Sequence, residues 1–194
     1  MFMKVVVVAL FSPLVRSAAT LKSGVYHLVN LGDPYAPASF DNKNRVVLPN
    51  AFGGDYDLWE IVAPPERADS ITIKNLRGKK FAQISPPAEG QFVSTGNRPT
   101  AFSTVLSGTA DFPGDDGIIP DRYLDYWTIG TPSGLVWTYN NSAGPEVSLH
   151  PLNTNRTAGQ YWMFAAKGSL PFLPRDLNEP TDAMTLSPRL LFPS

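Results

Sequence analysis

The sequence predicts an all-β chain in which one structural unit is written three times. A motif of Asp or Gln, any residue, Trp, any residue, apolar occurs as "DLWEI" at 57–61, "DYWTI" at 125–129 and "QYWMF" at 160–164. A core-type pattern repeated within one chain signals internal structural repeats. Each occurrence is preceded by a second motif that alternates apolar residues and ends in Asn: "YHLVN" at 26–30, "ITIKN" at 71–75 and "WTYNN" at 137–141. The chain of 194 residues also carries 19 Pro and 15 Gly, with charged residues at 17%. Average domains hold roughly 25% charge, so this composition favours many turns and short strands over long helices.

Taken in order, residues 1–19, "MFMKVVVVALFSPLVRSAA", place Lys4 before an apolar run from Val5 to Phe11 and end in the small residues Ser17, Ala18 and Ala19. That is the pattern of a cleaved secretion signal, with the mature chain expected to begin near Thr20 and to be secreted; if the segment is retained, a buried first strand and a cytoplasmic protein are the alternative. The run is shorter than the ~20 residues that span a bilayer, and Pro13 and Arg16 follow it, so no membrane anchor is expected. Two N-glycosylation acceptor triplets, Asn140-Asn141-Ser142 and Asn155-Arg156-Thr157, are compatible with a secretory route.

Period-two alternation places Tyr26 with Leu28, Ile71 with Ile73, and Trp137 with Tyr139 on one face of a strand, and Asn tolerates the turn that ends it. His27 falls on the other face of the first strand and is expected to be exposed. The Trp motifs alternate likewise, so each unit is expected to open and close with a half-buried strand, pairing 26 with 59, 71 with 127 and 137 with 162. Further strands are expected at "RVVLP" 45–49, "KFAQI" 80–84, "QFVST" 91–95 and "EVSLHP" 146–151. Residues 107–121, "SGTADFPGDDGIIPD", read as a solvated insertion in the middle unit. Its four Asp residues do not follow the EF-hand spacing. Residues 168–194 hold five prolines and no sustained period, so an irregular tail outside the core is expected.

Net charge is −1, without a Lys/Arg cluster. Nothing in the sequence supplies a phosphate-neutralising surface, which sets nucleic acid aside. With no Cys there is no disulfide framework, thiol nucleophile or Cys-based zinc site. The sequence has no Gly-x-Ser-x-Gly elbow, His-Glu-x-x-His, Gly-x-Gly-x-x-Gly or P-loop. The carboxylate pairs Asp115-Asp116 and Asp55/Asp57 sit in loop settings with no evident burial to raise one pKa. The expectation is therefore a non-catalytic protein without cofactor or metal.

Three units of about four short antiparallel strands, each too small to bury a core alone, are what a β-trefoil requires, and barrel closure removes exposed sheet edges. The expected fold is a single β-trefoil over residues 22–166 with pseudo-threefold symmetry. Over that span the chain resembles the ricin-B-type lectin domain, particularly its fungal members. The resemblance rests on "QYW" at 160–162, on "DLW" and "DYW" with Asp in place of Gln, on the opening "GVYHLVN", on "DNKNRVV", and on "ITIKNLRGKKFAQI" followed by "PPAEGQFV".

That resemblance implies glycans or glycoproteins as partners. It implies a site built from an acidic residue in the loop after the first strand, a stacking ring on the third strand and polar groups before the closing Trp. In the first repeat Asp41 and Asn42 stand at the polar positions, and the ring position falls near Pro49. In the second, Ser85 stands where the acid is expected. In the third, Asn140 or Asn141 replaces the acid, His150 falls at the ring position and Gln160 precedes Trp162. No repeat carries the full set, and the third comes nearest.

A weaker resemblance links "SGVYHLVN" to mushroom β-trefoil protease inhibitors of the mycocypin type, which implies a secreted protease as the alternative partner. The loop at 32–45 would then be the binding element. Pro34 and Pro37 lower its ordering cost, and Lys43 or Arg45 is available for an acidic specificity pocket.

Overall fold

The computed structural model describes residues 20–49, 54–64, 67, 70–112, 122–153, 155, 157–167 and 189–191. The expected leader, residues 1–19, lies outside them. Within them the chain forms fourteen strands: β1 (Gly24–Asn30), β2 (Asp33–Pro37), β3 (Ser39–Phe40), β4 (Val46–Val47), β5 (Leu58–Val62), β6 (Ser70–Asn75), β7 (Phe81–Gln83), β8 (Ser94–Gly96), β9 (Phe102–Phe112), β10 (Arg122–Gly130), β11 (Leu135–Tyr139), β12 (Val147–Pro151), β13 (Trp162–Ala166) and β14 (Arg189–Leu191). Short 3-10 turns at Gly54–Asp57 and Ala158–Gln160 precede β5 and β13. No helix among the described residues is long and apolar enough to cross a membrane.

Six of these strands close a barrel. β1 pairs with β5, β5 with β6, β6 with β9, β9 with β10, β10 with β13, and β13 returns to β1, every pair antiparallel. Three hairpins, β3–β4, β7–β8 and β11–β12, cap one end. The hairpins meet at Val46 of β4, Val93 just before β8 and Val147 of β12, all fully buried: Val46 N–H donates to Val93 O at 2.8 Å and Val93 N–H to Val147 O at 2.9 Å. A six-stranded barrel closed by a triplet of hairpins is a β-trefoil.

Strand alternation puts Leu28, Trp59, Ile61, Ile71, Ile73, Phe102, Trp127, Ile129 and Trp162 in one continuous core. The three motif tryptophans are buried, Trp59 and Trp162 completely and Trp127 to 6% exposure. Trp137 stands edge-on to Trp162 at 5.8 Å and to Phe102 at 5.2 Å, which fastens the third unit to the close of the second.

The division into units corrects the expected pairing. Trp127 does not close the second unit; it lies on β10, the opening strand of the third. "WTYNN" is the second strand of that unit, not its first. The second unit closes on β9 at Phe102, so its closing aromatic is Phe rather than Trp. Opening and closing strands both line the barrel and bury alternate residues, so their sequence patterns are the same, and only strand pairing separates them. β10 pairs with β9 from Arg122↔Phe112 to Gly130↔Ser103, with a bulge between Tyr126 and Trp127.

Three further expectations change. Residues 107–112 of the anticipated insertion are the far end of β9, and 113–121 lie outside the described residues. Of the expected irregular tail, residues 168–188 and 192–194 lie outside the described residues, and Arg189–Leu191 pair with Asp111–Thr109 of β9 as an added strand. His27 is half-buried rather than exposed, because the outer face of β1 is itself covered. Val29, Leu31, Tyr126, Tyr161, Met163 and Ala165 form a second apolar cluster there, outside the barrel.

Candidate functional site

Equivalent positions in the repeats can be assigned from hydrogen bonds. Trp59 Nε1 donates to Ala38 O at 2.8 Å and Trp162 Nε1 to Trp137 O at 3.2 Å, which makes Ala38 and Trp137 counterparts. Counting forward, Asp41 and Asn140 each end the second strand of a unit. Both use their side-chain oxygen alike, accepting from Lys43 N–H at 2.9 Å and from Ser142 N–H at 3.1 Å. Both carbonyls close the following turn, to Asn44 N–H at 3.0 Å and Ala143 N–H at 2.9 Å. Counting forward from Val46, Val93 and Val147 gives Pro49, Gly96 and His150 at the position expected to hold a ring. Only the third repeat has one.

In that repeat Asn140, Asn141, His150 and Gln160 line one open cleft of about 650 Å³, together with Thr138, Tyr139, Asn153 and Leu152. This lies within the ~300–1,000 Å³ usual for ligand sites, and the lining combines apolar surface with a few convergent polar groups. The cleft owes its shape to close backbone approach. A Cβ at Gly159 would collide with the Tyr139 carbonyl oxygen, so glycine lets the Ala158–Gln160 turn lie on β11. The Asn30 side chain ties this turn to β1, donating to Gly159 O at 3.0 Å and accepting from Gly32 N–H at 2.8 Å.

Gln160 forms the floor. It is 3% exposed, accepts from Asn153 N–H at 2.7 Å, and donates to Pro151 O at 2.9 Å and Thr138 Oγ1 at 3.1 Å. Both of its N–H donors are thereby committed, and its function in this arrangement is to hold the walls.

His150 stands on the outward face of β12, its side chain 40% exposed. Nε2 lies 3.1 Å from Ser148 Oγ and Nδ1 3.9 Å from Glu89 Oε1, an ion pair only when the ring is protonated. Asn140 and Asn141 are exposed at the rim.

Tyr139 brings a second unit into the site. Its hydroxyl lies 3.1 Å from Asn141 Oδ1 and 3.4 Å from Asp33 Oδ2 on β2. Burial, and then the Asp33 charge and hydrogen bond, push the phenol above its ordinary value, so it stays a neutral donor. Tyr139, Thr138 and Asn153, which line the cleft, were absent from the expected site, as was Asp33, which stands behind Tyr139 without lining the cleft. Tyr139 reads in sequence as a core residue, which its ring is; no local pattern shows that its hydroxyl reaches Asn141 and Asp33.

The first-repeat candidates are not in the cleft. Asn42 is exposed. Asp41 anchors its own turn: Oδ1 accepts from Lys43 and Arg45 N–H, and Oδ2 pairs with the Arg45 guanidinium at 2.6 Å. Desolvation raises this carboxyl, but the Arg45 backbone and side-chain hydrogen bonds, its charge and the Lys43 N–H outweigh it, leaving Asp41 below the usual carboxylate range.

Nor is the 32–45 stretch a free loop, since β2 and β3 occupy much of it. Arg45 is held between Asp41 and Glu146, the latter at 2.7 Å, and packs over Phe92 at 5.5 Å. Lys43 is exposed. Among the described residues no group of three His, Asp or Glu side chains gathers as a metal site.

No family model matches the chain and no curated protein matches it in sequence. Solved structures match it in fold. The ricin B-like lectin of Macrolepiota procera, in complex with lactose, is 11% identical with a TM-score of 0.57, over 76% of this chain and 99% of that one. The lectin of Polyporus squamosus, bound to a human-type influenza-binding epitope, is 18% identical with a TM-score of 0.56, over 76% of this chain. The chain matches only 50% of the length of that lectin. ThreeFoil, a designed threefold-symmetric protein, is 16% identical with a TM-score of 0.54, over 73% of this chain and 97% of that one. The fold is thus the single β-trefoil found in ricin B-like lectins.

Proposed function

We propose that the protein is a non-catalytic carbohydrate-binding β-trefoil whose working site is the cleft of the third repeat. One observation carries this reading: His150, Asn140 and Asn141, chosen from separate stretches of sequence, line a single open cleft over a floor made rigid by Gln160. Sugar recognition needs a flat apolar face against the C–H surface and a few fixed polar groups to orient hydroxyls. The His150 ring and Leu152 supply the first, and the rim amides of Asn140 and Asn141 the second. The lectins of the same fold, seen with lactose and with a glycan epitope, support the substrate class. The first and second repeats, with Pro49 and Gly96 at the ring position, are read as scaffold.

The test is a glycan array followed by titration of the best ligand. His150→Ala should weaken binding tenfold or more, about 1.4 kcal/mol, with the fold intact. Absence of any glycan ligand, or equal affinity in the His150→Ala protein, would overturn the reading. A trypsin, subtilisin and papain panel run beside it addresses the protease alternative: loss of a measured inhibition on Lys43→Ala would move the site to the first repeat.

A further inference from the structure

Asn140 is at once a rim residue of the cleft and the first residue of an N-glycosylation triplet, Asn140-Asn141-Ser142. The triplet is folded in a form that suits modification. Its exposed turn runs from Asn140 through Ala143, and the Asn140 side-chain oxygen accepts from Ser142 N–H at 3.1 Å. Among the described residues the Asn140 amide nitrogen donates no hydrogen bond, so attachment there breaks none. The other triplet differs. Asn155 does not line the cleft.

We propose that Asn140 is an N-glycosylation site and that its modification closes the cleft, so that a chain exported through a glycosylating compartment and a chain kept out of it differ in ligand binding. The chemistry is transfer of an oligosaccharide from a polyprenyl-pyrophosphate donor by a membrane transferase. A bond forms between Asn140 Nδ2 and the anomeric carbon as the anomeric C–O bond to pyrophosphate breaks. The pyrophosphate carrier leaves, and one amide proton is lost to base.

Closure follows from tethering. A group held by a short flexible linker is present at an effective concentration on the order of millimolar, so an attached sugar that binds the cleft with a dissociation constant at or below that level competes with any free ligand. The first sugars also stand at the rim beside Asn141, where they obstruct entry to the His150 ring. The loss of ligand binding rests on the carbohydrate-binding reading; the modification and the obstruction do not.

The experiment compares one chain made in bacteria with the same chain exported from a yeast host behind a supplied leader, with Ser142→Ala made in both. Ser142 does not line the cleft, and its N–H remains in the variant. Peptide mass mapping should find the exported Asn140 peptide carrying a glycan that Ser142→Ala lacks. Labelling of His150 by diethyl pyrocarbonate should be several-fold slower in the glycosylated chain, and should return to the bacterial rate in Ser142→Ala or after enzymatic deglycosylation. Binding to the best array ligand should fall at least tenfold and recover in the same samples. An unmodified Asn140 in the exported chain overturns the proposal. So does a glycosylated chain whose His150 labels at the bacterial rate, or whose ligand affinity is unchanged. If the bacterial chain binds no glycan, the functional reading fails, and the labelling rates alone decide closure.

Discussion

Replacing Gln160 by Ala separates two functions for the residue that sequence resemblance runs together. Its side chain, 3% exposed, makes three hydrogen bonds, to Asn153 N–H, Pro151 O and Thr138 Oγ1. At a net contribution of about 1 kcal/mol each, their loss costs ~3 kcal/mol. The cleft is open to solvent, so water can satisfy some of the released groups and the cost should settle at about 2 kcal/mol. For a chain of this size that corresponds to roughly a 4–8 °C fall in Tm.

Urea denaturation of the parent, Gln160→Ala and Gln160→Glu, followed by Trp fluorescence, measures this. Gln160→Glu keeps the acceptor for Asn153 but loses both donors, so it should be destabilised as well. If Gln160→Ala instead costs less than about 0.5 kcal/mol while abolishing glycan binding, Gln160 contacts ligand rather than holding the cleft walls, and the division of labour drawn here is refuted.

Two further outcomes follow from the core and the outer face of β1. Phe102→Trp, which restores Trp to the one closing strand without it, should destabilise by about 1–3 kcal/mol; the site is fully buried against Trp137, leaving no room for the larger ring, and a stabilised variant in the same denaturation assay would show otherwise. Burial lowers the His27 pKa, as does the Lys167 charge, against a backbone hydrogen bond to Asp57 that raises it. The folded chain therefore binds the proton less well than the unfolded one. This stability is present above the unfolded value of ~6.5 and is lost as pH falls toward the folded value. Between pH 7.5 and 5 the urea midpoint should fall further for the parent than for His27→Gln; equal falls would mean that His27 is not the group responsible.

The fold was legible because a β-trefoil repeats its burial pattern, and the strands at 26–30, 71–75, 80–84 and 146–151 all stand close to where alternation placed them. What alternation could not supply was pairing. A Trp on β10 and a Trp on β13 obey the same period, and the second unit hides its closing strand by using Phe102. The strands β2 and β3 were missed because "DPYAPASF" reads as a proline-rich loop. Proline is tolerated there because, among the described residues, β2 pairs with β1 alone, at Val29↔Pro37 and Asn30↔Asp33.

The candidate cleft was legible where a position is set by its own strand and illegible where two units meet. Asn140 and His150 are fixed by counting along β11 and β12, so spacing within one repeat finds them even when the repeat boundaries are misassigned. Asp33 belongs to another unit, and its approach to Tyr139 depends on barrel closure, which no local pattern encodes. Gln160 shows a different limit: spacing located it at the cleft, but only the hydrogen bonds of its amide distinguish a wall-holding residue from a ligand contact. The same reasoning separates Asp41 from Asn140. The two hold equivalent positions and make the same side-chain bond to the second residue on, yet Arg45 occupies the Asp41 carboxylate, whereas among the described residues the Asn140 amide nitrogen donates no hydrogen bond. Pseudo-symmetry thus provides equivalent positions, and the neighbours of each decide which side chain stays available.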